Sequence, residues 1–441
     1  MCKELRISLD GQLVIVFIEF SNKVHSSYSG TEYLFKVLLL LCWALSTVTN
    51  VKSDTQVDDF KKEFAKASYD FTLDLLKAAG ATDEDNVLLS PSSIGVLLSM
   101  LQQGAGGATA AQLEKVLHLS GENSKMGFAS LIQTLQRHDS NVTFEWGNRA
   151  YVVPRFELNE NFLKCIDENF NATIEELDIG TISGVEAAAK INDWVKEATH
   201  DNIKDLVDER LITPDLVMLM VNVIFFKGAW DSPFQRYRTR DDKFQVGPDV
   251  KVEVPFMRQE GRFPAGENTD LGIIWTELSF QDENFSMLLI LPIKRNGINQ
   301  VVDKLTGADL REIINEKNTR RVRLTIPKFK LTKKVELADA LKKLGLTDVF
   351  TAESDLSGIA NGELSLQLSH LIHQADIEID EDGSTASAAT FEIVQTLSLE
   401  VYSDLLQFKA DHPFLFFIID KVNGIPLFAS KVVNPKTSTP T

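Results

Sequence analysis

The strongest constraint in the chain is the run Leu216-Val217-Met218-Leu219-Met220-Val221-Asn222-Val223-Ile224-Phe225-Phe226, which holds a single polar side chain. An apolar run of this length without alternation predicts a strand buried on both faces. Asn222 is the exception, and an amide in such a strand has to find a hydrogen-bonding partner. A second stretch imposes a different requirement. Ile377 to Asp380 alternates like a strand, Glu381-Asp382-Gly383 is an acidic turn, and Ser384-Thr385-Ala386-Ser387-Ala388-Ala389-Thr390 brings seven small residues before the next bulky one. Ser, Thr and Ala have little rotamer entropy to lose and little bulk to place. Such a segment suits an exposed position in one state and an interior strand in another.

No Pro/Gly/Ser-rich linker divides the 441 residues, so one large domain is expected where length alone suggests several. Hydrophobic residues at 44% and charged ones at 24% are ordinary for a globular protein. The net charge of −18 argues against nucleic acid or an anionic membrane as the main partner. Cys2, Cys42 and Cys165 form no CxxC motif and no Cys/His cluster, so no metal site, redox pair or cofactor is expected. No Lys-Ser/Thr follows Gly107 at phosphate-loop spacing, and there is no G-x-S-x-G elbow. A hydrolase using Ser90 or Ser99 is thereby disfavoured, and no catalytic residue is assigned.

Residues 1–53 differ from the rest. Leu34 to Leu45 is an apolar run with Lys36 near its start, too short for a membrane span and the right length for a signal-peptide core. Ala44 and Ser46, or Val51 and Ser53, offer cleavage positions. A leader over 1–53, a single domain over 54–441 and a secreted, extracellular product are expected. Removal of the leader leaves Cys165 alone and no intramolecular disulfide. The earlier apolar stretch Leu13 to Ile18 is compatible with an extended leader, an anchor or a true start further along the chain. The sequons at Asn141, Asn171 and Asn284 fit a secreted glycoprotein, Asn284 least well because it opens an apolar run.

Phe60, Phe64, Ala67, Phe71 and Leu75 mark an amphipathic helix over 57–77. Asn86 to Leu89 reads as a short buried strand, with Ser90 as N-cap and Pro91 in the first turn of a helix that ends at Gly104. Thr109 to Leu117 and Ser124 to His138 are further helices. Arg320 to Lys334 alternates basic and apolar residues and is expected to be one strand with a solvated basic face rather than a nucleic-acid patch. Leu337 to Leu344 is a helix stopped by Gly345. Phe414 to Ile419 and Pro426 to Val433 are buried strands joined by a hairpin at Asn423-Gly424.

Several of these stretches resemble the serpin family. They are Leu89-Ser90-Pro91-x-Ser93-Ile94 with Gly104-Ala105-x-Gly107-x-Thr109, Phe225-Phe226-Lys227-Gly228-x-Trp230-x-x-Pro233-Phe234, Glu381-Asp382-Gly383-Ser384, and the two C-terminal strands. The resemblance runs from about Phe60 to Pro435. It implies an α+β fold with about nine helices around three β-sheets and an exposed reactive-centre loop at about 381–407. By position it places Ser90, Ser93, Asn222 and His373 at the family's shutter, where the central sheet parts, with His373 bonded to Asn222. Trp230, Lys328 and Glu381 fall at the breach where the loop enters, Lys328 pairing with Glu381. The hinge is Glu381, Gly383, Ser384, Ala386 and Ala388.

The resemblance further implies suicide inhibition of serine proteases, in which the cleaved loop inserts into the central sheet while the protease is held as an acyl-enzyme. Family spacing from Gly383 puts the reactive bond between Leu397 and Ser398. Leu399 and Tyr402 are alternatives, because the thirty residues from Gly383 to Pro413 exceed the usual length. All three suit a chymotrypsin-like or elastase-like protease, and no Arg or Lys occurs between Gly383 and Gln407. The fourteen residues Ser384 to Leu397, at ~3.3 Å each, span about 46 Å. Insertion would turn Glu392 inward, a misfit in an otherwise small or apolar set. Lys125, Arg137 and His138 are too few cations for heparin on the helix that binds it in some relatives, and a monomer is expected. The alternative is a non-inhibitory carrier or chaperone.

Overall fold

The computed structural model describes residues 59–80, 85–136, 142–362, 365–382 and 405–436, and the backbone of 2–9 and 12–19. The chain falls into two units, Met1–Phe60 and Lys61–Thr441. In the first, Cys2–Leu9 pairs antiparallel with Gln12–Glu19. The second contains nine α-helices among the described residues, the first at 59–79.

Three sheets carry the second unit. The central one has five strands in the order Phe329–Glu336, Leu368–Ile379, Met218–Gly228, Val142–Val152, Thr173–Glu176. The expected buried strand is Met218–Gly228, with all eleven residues but Lys227 buried. The other two sheets share the eighteen-residue strand Lys251–Asn268. Its first part pairs with Arg240–Gln245 and Thr319–Pro327, and the latter pairs in parallel with Leu405–Lys409. Its last part pairs with Ile273–Ser279, and the sheet continues through Phe285–Pro292, Phe414–Asp420 and Ile425–Val432 to Val87–Leu89.

The helix Pro91–Gly104 lies in the core, buried at all but one of its fourteen residues. Its sequence is small or apolar on every face, as an interior helix requires. On the opposite face of the central sheet, the helix Gly184–Ala198 packs Ala187, Ile191 and Val195 against Leu219, Val221 and Val223 of one strand and Ile372 of the next. Gly147 permits this approach, since a Cβ there would sit 2.9 Å from the Trp194 ring.

Three expected boundaries are corrected. Arg320 to Lys334 is two strands, Thr319–Pro327 and Phe329–Glu336, in different sheets. Pro327 has no N–H to continue a ladder, and the chain turns at Lys328, whose N–H donates to the Pro255 carbonyl (2.8 Å). The helix expected at 124–138 begins at Gly121, because Ser120 accepts from the Asn123 N–H (3.4 Å) as its cap. The helix expected from Thr109 begins at Gly107.

Candidate functional site

Both edges of the strand Leu368–Ile379 are occupied. Phe329–Glu336 pairs with it antiparallel on one side, and Met218–Gly228 pairs with it in parallel on the other. Side chains tie the parallel joint at two levels.

At the lower level, His373 Nδ1 lies 2.5 Å from Asn222 Oδ1, and His373 is the register partner of Asn222. The Ser90 N–H donates to His373 Nε2 (3.2 Å). Because Nε2 accepts, the proton sits on Nδ1 and is donated to Asn222, which fixes the neutral tautomer. The Asn222 amide donates to Ser93 Oγ and to Asn148 Oδ1. Ser90 Oγ accepts from the Ser93 N–H as N-cap and donates to the Leu427 carbonyl (2.8 Å). All five side chains are buried. Burial lowers the imidazole pKa from 6.5 to about 3.

At the upper level, the Trp230 indole N–H donates to the Asp380 carbonyl (2.9 Å), and its ring stacks on Phe280 at 4.6 Å. The Trp230 and Phe234 N–H groups donate to the Asp382 and Glu381 carbonyls (3.2 and 2.8 Å). The buried Glu381 carboxylate accepts from Lys328 Nζ (2.6 Å) and Thr239 Oγ1 (2.8 Å). Burial alone would raise its pKa, yet these two bonds and the Lys328 charge hold it below its ordinary value. Asp382 pairs with Arg236.

Two buried polar residues were not expected from the sequence. Asn148 stands beside Asn222 in the strand Val142–Val152, at an inward position shared by period two with Trp146 and Ala150. Asp376 accepts from Thr332 Oγ1 and Gln374 Nε2 (both 3.0 Å), and burial pushes its carboxyl pKa up. Gly383, Ser384, Ala386, Ala388, Glu392, Leu397, Ser398, Leu399 and Tyr402 lie outside the described residues, as do Asn141, Arg137 and His138.

Asn171 is exposed, as is Thr173, and it ends the helix Glu160–Phe170 with φ 45°. Asn284 is half-buried with its amide bonded to Asp282 Oδ1 (2.8 Å), and Ser286 is fully buried. Lys125 pairs with Glu122 (2.8 Å). Among the described residues no group of three His, Cys, Asp or Glu could hold a metal ion.

The family model described as Serpin (serine protease inhibitor) matches residues 66–435. The chain belongs to the serpin family. Serine protease inhibitor 42Dd of Drosophila melanogaster is 35% identical over 353 residues, covering 79% of this serpin and 91% of the relative. Leukocyte elastase inhibitor of Bos taurus is 31% identical over 382 residues, covering 85% of this serpin and 100% of the relative. The crystal structure of Manduca sexta serpin-12 superposes with a TM-score of 0.77 at 28% identity, covering 84% of this serpin and 99% of that chain. The α+β serpin fold, with its nine helices and three sheets, is therefore the fold of this chain.

Proposed function

We propose that this serpin is a secreted suicide inhibitor of chymotrypsin-like or elastase-like serine proteases. The observation that carries the reading is the parallel joint between Leu368–Ile379 and Met218–Gly228, closed by His373–Asn222 below and by Trp230 and the Lys328–Glu381 pair above. A segment that folds back from Glu381 beside Leu368–Ile379 finds the Phe329–Glu336 edge taken, so it has to enter at this joint. Entry replaces one parallel ladder by two antiparallel ones, which are slightly more stable per residue and double the strand pairing. The free energy is released only after the loop is cut, and it is spent dragging the acylated protease away from where it bound. The serpin supplies no catalytic group.

The cut is assigned to Leu397–Ser398, and an apolar side chain there suits a hydrophobic primary pocket. The bovine relative named for inhibiting leukocyte elastase supports the same class. The leader and the open sequon at Asn171 support an extracellular, glycosylated monomer with no cofactor. Neutralisation of Lys125 by Glu122 supports the absence of heparin activation through the helix Gly121–Leu135.

Incubation with chymotrypsin tests the reading. An SDS-stable complex is expected, and its released C-terminal peptide should begin at Ser398 by mass spectrometry. A start at Glu400 or Ser403 moves the bond to Leu399 or Tyr402. Clean cleavage without trapping would replace the inhibitor by a carrier.

A further inference from the structure

The basic residues that the sequence singles out in Thr319–Pro327 are not absorbed by the trapping mechanism. Arg321 and Arg323 are exposed, while Val322 and Leu324 between them are fully buried. Across the strand boundary Arg321 is the register partner of Arg262, also exposed. Like charges placed directly opposite destabilise a sheet. One carboxylate serves this group: Glu260 pairs with Arg321 (2.6 Å) and Arg323 (3.1 Å). Arg262 reaches the Thr319 carbonyl at 3.5 Å. Beside them Asp242 is shared by Arg258 (3.4 Å) and Lys409 (3.1 Å), and Lys409 also reaches Asp411 (3.4 Å), which Arg295 already neutralises (2.9 Å). Five cations thus stand against Glu260 and Asp242 in a chain of net charge −18.

The position of this face gives it a use. Arg321 and Arg323 are register partners of Leu405 and Gln407, in the strand that follows the loop. Leu405 is seven residues beyond Ser398, no more than about 25 Å of extended chain. A folded domain of ~230 residues has a radius of gyration of about 17 Å, so a protease seated at the cut lies within reach of the face. We propose that this sheet is an exosite for an acidic surface of the protease, on the side of the leaving peptide. The proposal rests on the inhibitor reading above. Glu260 and Asp242 interrupt the cations, which suits the mixed charge of a folded protein better than the unbroken charge of a polyanion. Charge complementarity of this kind acts mainly on the association rate.

Chymotrypsin and the same enzyme with its surface lysines succinylated share one active site and differ in surface charge. The quantity to measure is the ratio of trapping rate constants, succinylated over unmodified, for the parent, Arg262→Glu and Arg262→Glu/Arg323→Ala. The ratio is expected to fall about threefold in the first variant and tenfold in the second at low salt, with the differences vanishing at high salt. Arg262→Glu places a carboxylate opposite Arg321, so its thermal midpoint should not drop, which separates slower trapping from misfolding. An unchanged ratio overturns the proposal. Acceleration of trapping by heparin that these variants abolish also overturns it, assigning the face to a polyanion. Binding of active-site-blocked succinylated chymotrypsin is measured alongside. If neither active enzyme is trapped but the blocked one binds the parent more tightly than Arg262→Glu, the inhibitor reading fails and the exosite stands; if binding is also equal, the exosite fails.

Discussion

His373 Nδ1 donates to Asn222 Oδ1 across the boundary of two parallel strands, and the Ser90 N–H donates to the other ring nitrogen. Protonation of His373 would set a second N–H against that of Ser90. The folded-state pKa of about 3 lies below the ordinary 6.5, so the unfolded chain binds more protons in between. The contribution is complete above 6.5 and is lost as pH falls toward 3. Thermal unfolding from pH 7 to pH 4 should show a falling midpoint in the parent and a shallower slope in His373→Gln. Equal slopes would remove His373 from the acid sensitivity.

Lys328→Ala leaves the buried Glu381 carboxylate with Thr239 as its remaining side-chain donor. Lys328 is 40% exposed, so the loss should be on the order of 1–2 kcal/mol rather than that of a fully buried pair. Glu381 titrates below its ordinary value, so its contribution is present above that value and lost as pH falls through the depressed one. Urea unfolding at pH 7 and pH 4 should show the variant's deficit shrinking at the lower pH.

Asp376 has the opposite sign. Burial raises its pKa, so ionisation costs the folded state stability once pH exceeds the ordinary value. Asp376→Asn can still accept from Gln374 and can donate to the Thr332 hydroxyl. A higher thermal midpoint is expected at pH 7.4, with the gain narrowing toward pH 4. A midpoint below that of the parent would mean that the ionised carboxylate is needed.

Gly383→Pro and Ser384→Arg should turn the inhibitor into a substrate, because entry begins there and has to bury the Ser384 side chain. Gel analysis with chymotrypsin should show the cleaved serpin rising at the expense of the SDS-stable complex. Undiminished trapping by either variant would refute the hinge assignment.

The sheet and its joint were legible because an unbroken apolar run can be only an interior strand, and because the one amide in Met218–Gly228 demanded partners. The first helix was equally plain from Phe64, Ala67, Phe71 and Leu75, all of them buried. Pro327 carried the signal that divides Thr319–Glu336, but alternation of charged and apolar residues continues across it and masks the break. Asn148 was hidden because its neighbours in Val142–Val152 are themselves mixed, so period two alone does not say which face is inside. Asp376 was unreadable for another reason: a carboxylate looks solvent-facing until Thr332 and Gln374 are brought beside it by pairing between distant strands.

The helix Gly184–Ala198 adds a clock to the trapping reaction. Its apolar face grips Val221 on one side of the joint and Ile372 on the other. A strand advancing between them has to pry that grip apart before the new pairing beneath can compensate, so progress slows midway along the sheet. An acyl-enzyme meanwhile hydrolyses at its own pace. Whether a protease is caught or escapes is then a race, and the tightness of one helix against two strands sets the time allowed.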